Sequence, residues 1–174
     1  MTVRKLTLAL LALGGVVWLA AIVSTPSVLH ASRDDTRWNG VATLTYVVGA
    51  VICHQRPERS FHTAGIKWPV CARCTGLYAG AALALLLWPI VRRVSSSPAA
   101  GPIGAVEPTR PGERLDHLRR WRVMTLGLAA PTMITIATAT LGWFDPPNAW
   151  RAALALPLGL VAGSLLAAVV LGDL

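Results

Sequence analysis

Eighteen consecutive residues, Leu6 to Val23, carry no charge, and four more apolar runs follow along a chain of 174 residues. At 1.5 Å per residue, a helix of that length is about 27 Å long, close to the thickness of a bilayer's hydrocarbon core. The further runs occupy 38–53, 75–91, 123–144 and 152–172. In lipid every backbone N–H and C=O must be satisfied within the protein, and for isolated apolar runs that means helices. The expected fold is therefore all-α, a multi-pass transmembrane helical bundle of about five helices, with 1–174 as a single membrane domain.

Composition removes the soluble alternative. Hydrophobic residues make up 54 % of the chain and charged ones 14 %, with a mean hydropathy of +0.56. So few charges could not cover that much apolar surface in water. The expected partner is the lipid bilayer, and the expected location is a cell membrane, inner or plasma. The net charge of +8 points to basic loops rather than nucleic acid, because no cationic stripe interleaves with stacking aromatics.

The runs differ in character. Arg4 and Lys5 precede the first, as they would in a signal peptide, but the run is long and no clean A-x-A site follows. It reads as a retained helix. The second is dotted with Thr43, Thr45 and Tyr46 and suits a tilted or buried helix. Pro131 and Pro157 fall inside the last two, which a bundle tolerates. Gly76 and Gly80, like Gly159 and Gly163, are four apart, a spacing that lets helices approach closely. Residues 94–120 read as a flexible basic loop, with Glu113 to Val123 as a short helix along the membrane surface. Orientation is in conflict. Loop 92–122 holds seven arginines and belongs in the cytoplasm, as do Arg4 and Lys5, yet five full spans put these two groups on opposite sides. Seven arginines against two favour an outward-facing segment 54–74.

That segment and its edges hold the chemistry. All three cysteines lie within 22 residues, as Cys53, Cys71 and Cys74, with His54 directly after the first. A C-x2-C pair set 15–20 residues from a second ligand pair is a zinc-site spacing. Three thiolates and one imidazole complete a tetrahedral set, so Cys53, His54, Cys71 and Cys74 are the expected metal ligands, zinc first. His62 competes with His54 for the fourth place. Cys71 and Cys74 sit at an expected helix start, where the dipole favours thiolate. The same physics suits a thiol-disulfide oxidoreductase or redox sensor, and three packed cysteines also suit an inert scaffold. Among the charges, a pair between Glu58 and Arg73 or Arg151 would lock helices together, while Arg59 and Arg73 together would attract an anion. No hydrolase triad, phosphate loop or carboxylate pair is present in the sequence, so no catalytic residue is assigned and an enzyme is not the favoured reading.

CHQRPERSF followed by PVCARCTGLYAG resembles the signature of a family of bacterial and archaeal membrane proteins, domain of unknown function 2085. The likeness is strong over 52–80, weaker through Pro131 and NAWRAALALPLGLVAG, and leaves the first helix and 94–120 uncovered. It implies that Cys53, His54, Gln55, Arg59, Ser60, Cys71, Arg73, Gly76, Tyr78 and Gly80 are motif positions. It favours His54 over His62 and gives Gln55, Arg59, Ser60, Arg73 and Tyr78 supporting polar roles. Where the family carries an Asp-Gly pair after the proline, this chain has Met133, Ile134 and Thr135. The resemblance implies a membrane class and no activity.

Overall fold

The computed structural model describes residues 3–31, 36–95 and 111–172. Five helices make up most of it: α1 (Val3–Ala31), α2 (Thr36–Ile52), α3 (Ala72–Ser95), α4 (Pro111–Thr140) and α5 (Asn148–Leu171). The expected all-α membrane bundle is what forms. Four of the five are long and apolar enough to cross a bilayer, and α2 is the short one. Residues 111–123 are not a separate surface helix but the first turns of α4. Of the basic loop 94–120, residues 96–110 lie outside the described ones.

The packing inverts that of a water-soluble protein. Ala12, Ala42, Ala72, Ala82, Ala84, Ala155, Ala167 and Ala168 are buried, while Leu10, Leu13, Val17, Leu83, Leu86, Leu126 and Val169 are exposed. In lipid, large apolar side chains gain nothing by turning inward, and close contact of backbones does the work of association. The α3–α5 pair shows this most clearly. Gly76 lies on Ala152, Gly80 on Leu156 and Gly159, Gly159 on Leu77, and Gly163 on Ala81. Both numbers rise together, so the two helices run parallel, and their glycines face each other's backbones along about three turns of α5.

The other neighbours run the opposite way. Leu8 clusters with Leu85, Gly15 meets Ala82 and Trp18 stands edge-on to Tyr78 at 6.1 Å, so α1 is antiparallel to α3. Thr132 on α4 donates to the Leu154 carbonyl at 2.7 Å, and Arg73 on α3 donates to the Thr135 carbonyl at 2.9 Å. The bundle therefore has two unlike ends. At one, Arg4 donates to the Leu171 carbonyl at 2.9 Å, and Lys5, Arg92 and Arg93 line one apolar groove. At the other lie the ends of α1 and α4 and the starts of α3 and α5.

The short α2 removes the orientation conflict. Four residues separate it from the end of α1, and it finishes beside Cys53, which packs on Ile22 of α1 and Val70. It leaves and returns on the same side, so Arg4, Lys5 and the arginines after α3 share an end. Among the described side chains of α2, a narrow stripe is buried, Ala42, Thr45 and Gly49.

Between α2 and α3 the chain forms a two-stranded antiparallel sheet, β1 (Ser60–Thr63) and β2 (Ile66–Cys71), after a 3-10 turn at Pro57–Arg59. The Ala64-Gly65 tip has φ of 51° and 78°, the left-handed pair of a two-residue hairpin turn. His62 pairs with Lys67 and Ser60 with Cys71, so the register slips by two between them. Pro69 lies in that slip. It has no N–H for the ladder, and a bulge is where a strand tolerates it.

Candidate functional site

The hairpin exists to be gripped. Tyr46 of α2 donates its hydroxyl to the Lys67 carbonyl, and Gln55 donates its side-chain amide to the Tyr46 carbonyl at 2.6 Å. Lys67 donates back to the Gln55 carbonyl at 2.8 Å, and its ammonium stands 5.8 Å over the Tyr46 ring. Gly49 meets the Pro69 carbonyl so closely that a Cβ there would lie 2.7 Å from the oxygen. Gln55 itself has φ of 49°, a left-handed conformation that costs an L-residue about 1 kcal/mol or more. These bonds hold it there. The turn it makes sends the chain from α2 into the hairpin.

The result is a sulfur cluster. The Sγ atoms of Cys53, Cys71 and Cys74 lie within 4.8 Å of one another, drawn from the end of α2, the end of β2 and the first turn of α3. Cys71 and Cys74 are 3.5 Å apart. In a tetrahedral zinc centre with bonds of about 2.3 Å, sulfurs lie about 3.8 Å apart, so this spacing fits such an ion with small adjustments. Cys53 Sγ accepts backbone N–H groups from Cys71 at 3.1 Å and Gln55 at 3.4 Å. Donors aimed at a sulfur in this way suit a metal-bound thiolate. The bond to Cys74 holds the Cys71 thiol at about 5, against the opposing effect of burial, with backbone and Cys53 bonds adding to the lowering. Tyr78 packs against the cluster, and its hydroxyl is buried with no hydrogen-bond partner.

The remaining sequence-selected residues fall in different places. His54 and His62 are exposed, and neither joins the sulfur group. Gln55 is the clamp just described. Ser60 is fully buried and donates to the Arg56 carbonyl at 2.9 Å. Gly76 and Gly80 are the α3 side of the α3–α5 contact. Glu58 is exposed and does not supply the lock. Asp145 does, through an ion pair with Arg151.

Arg151 is the centre of a second cluster that the sequence reading underrated. It is 3 % exposed, bonded to Asp145 and to the Asn148 side-chain oxygen at 3.1 Å. Asn148 in turn donates to the Ser60 carbonyl at 2.9 Å, which ties the start of α5 to the hairpin. The bond from Arg151 holds the Asp145 carboxyl below the ordinary carboxylate range, and the charges of Arg151, Arg59 and Arg73 add to that. In the sequence, Asp145 and Asn148 read only as a turn before a helix. The signal available was an arginine directly before an apolar run, a charge at the edge of a span that needs a partner.

Four apolar helices long enough to span, a core of small residues and polar groups gathered at one end define a multi-pass helical membrane protein. The family described as predicted membrane protein (DUF2085) matches residues 53–165, and the chain belongs to that family. Two archaeal relatives are similar, both described only as uncharacterised. One, from Methanocaldococcus jannaschii, is 31 % identical over 78 residues, 45 % of this chain and 50 % of the relative. The other, from Methanothermobacter thermautotrophicus, is 30 % identical over 109 residues, 63 % of this chain and 78 % of the relative. The chain thus spans half the length of the first and more of the second. No solved structure matches it.

Proposed function

We propose that this protein holds a thiophilic metal ion, zinc first, on Cys53, Cys71 and Cys74, and serves metal handling or sensing at the cell membrane. The observation that carries the reading is the convergence of three sulfurs, from three elements, within 4.8 Å. A structural zinc site is closed by four protein ligands, whereas three ligands leave a position for exchange. His54, exposed beside Cys53, is the first residue to test for that fourth place. The ion would supply Lewis acidity there. The chain's own residues provide the thiolates, the N–H groups that orient Cys53 and the apolar wall of Trp18, Val70 and Tyr78.

The side follows from charge. Arg4, Lys5, Arg92 and Arg93 gather at the end opposite the sulfurs, and cytoplasmic loops are the basic ones. The sulfur site therefore faces away from the cytoplasm, in the inner or plasma membrane. A second reading, a thiol-disulfide oxidoreductase, has one observation in its favour: Cys71 and Cys74 stand 3.5 Å apart at a helix start.

Elemental analysis of the purified protein separates the readings. The metal reading expects about one zinc per chain, lost in Cys53→Ser and in Cys71→Ser, and weakened but not abolished in His54→Ala. Metal-free protein in which thiol trapping finds a reversible Cys71–Cys74 disulfide would replace it with the redox reading.

A further inference from the structure

Beside the sulfurs, Arg59, Arg73 and Arg151 converge at the point where α3 and α5 begin. We propose that this arginine cluster binds a phosphate group. Four observations bring the three side chains to one place and leave them incomplete. Gly76 on Ala152 sets the first turns of α3 and α5 backbone to backbone, so Arg73 and Arg151 are neighbours. The bond from Asn148 to the Ser60 carbonyl brings the adjacent Arg59 to the same spot. All three act on the carboxyl of Asp145. The Nε atom of each is buried and has no hydrogen-bond partner among the described residues.

The protein's own acceptors do not satisfy this set. Arg151 uses its two Nη atoms on Asn148 and Asp145, and Arg73 uses one on the Thr135 carbonyl. Three guanidinium charges against the single carboxylate of Asp145 leave +2 in the cluster, and Glu58, exposed nearby, forms no ion pair with them among the described residues. Arginine forks at this density match a tetrahedral oxyanion that offers several acceptors and two charges. The helices add to the same field. α3 and α5 both point their N-terminal, positive ends here, and α5 starts on Pro147 with no side-chain cap. None of the three arginines belongs to the sulfur group, so the proposal does not rest on the metal reading.

The phosphate belongs either to a free phosphate compound or to a lipid headgroup, since the cluster lies at the edge of the spans. The full chain in nanodiscs of pure phosphatidylcholine is melted with and without inorganic phosphate, against chloride at matched ionic strength. A second set of discs contains phosphatidic acid. Stabilisation by inorganic phosphate assigns a free ligand, and stabilisation only in the phosphatidic acid discs assigns the headgroup. In either case Arg59→Gln should weaken the response at least about tenfold, the loss of one charge-assisted partner. Arg59 is the variant of choice because, among the described residues, no hydrogen bond depends on its guanidinium, whereas Arg151→Gln endangers folding. Melts that respond to neither probe, or that respond equally in Arg59→Gln, overturn the proposal and leave the cluster as a helix lock.

Discussion

Replacing Gly76 by alanine tests the α3–α5 contact that brings Arg73 and Arg151 together. The added Cβ would lie 2.7 Å from the carbonyl carbon of Ala152 and 2.9 Å from its Cα, with the carbonyl oxygen closer still. Ordinary carbon contacts are about 3.5–4.0 Å. The opposing atoms are backbone, so no rotamer change relieves the clash, and α3 and α5 must part by about 1 Å. A gap of that size forfeits about a quarter to a half of the dispersion energy of each atom pair across the contact. Overpacking of this kind costs about 1–3 kcal/mol, and the backbone clash puts Gly76→Ala at the upper end. The better helix propensity of alanine returns about 1 kcal/mol, for a net loss of about 2 kcal/mol. Unfolding in mixed micelles with rising dodecyl sulfate, followed by tryptophan fluorescence, measures it. Gly14→Ala and Gly127→Ala are the controls, because a Cβ at either meets nothing within 4 Å. They should be neutral or stabilising by up to about 1 kcal/mol. A Gly76→Ala protein as stable as the parent, or controls destabilised as much, would refute the argument that glycine is required for backbone approach.

Two smaller predictions follow from the same site. The Asp145 carboxyl is depressed by Arg151, Arg59 and Arg73, so its contribution is full above the unfolded pKa of about 3.9 and is lost as pH falls through the lower folded value. The melting temperature of the parent should exceed that of Asp145→Asn at neutral pH and converge on it in strong acid; parallel curves down to that range would contradict the ion pair. At the hairpin tip, Ala64 holds φ of 51°, so Ala64→Gly should stabilise by about 0.5–1 kcal/mol and Gly65→Ala should destabilise by a similar amount, read by the same unfolding titration.

What the sequence disclosed was set by the physics of each element. Uncharged runs long enough to cross a bilayer declare themselves, so the class of fold was legible. The Gly76/Gly80 and Gly159/Gly163 spacings foreshadowed close contact but could not name each other as partners. C-x2-C with Cys53 at the right distance was equally plain. The two strands between α2 and α3 were not legible because Pro69 interrupts the strand pattern and the Ala64-Gly65 turn lacks the usual Asn or Asp. Arg151 was underrated because its partners, Asp145 and Asn148, lie within six residues and resemble an ordinary helix start. The conflict between the two cationic groups had one cause, the counting of α2 as a full span.

That short helix has a kinetic consequence. Cys74 rides on α3, which is bolted to α5 through facing glycines, and Cys71 is the strand residue directly before it, while Cys53 follows α2, held by one narrow stripe and the Tyr46–Gln55–Lys67 clasp. Two sulfurs thus sit against the closely packed α3–α5 pair, and the third at the end of a short helix with a narrow buried stripe. The lifetime of anything bound to all three is then set by how often α2 lifts away, and the clasp is its latch.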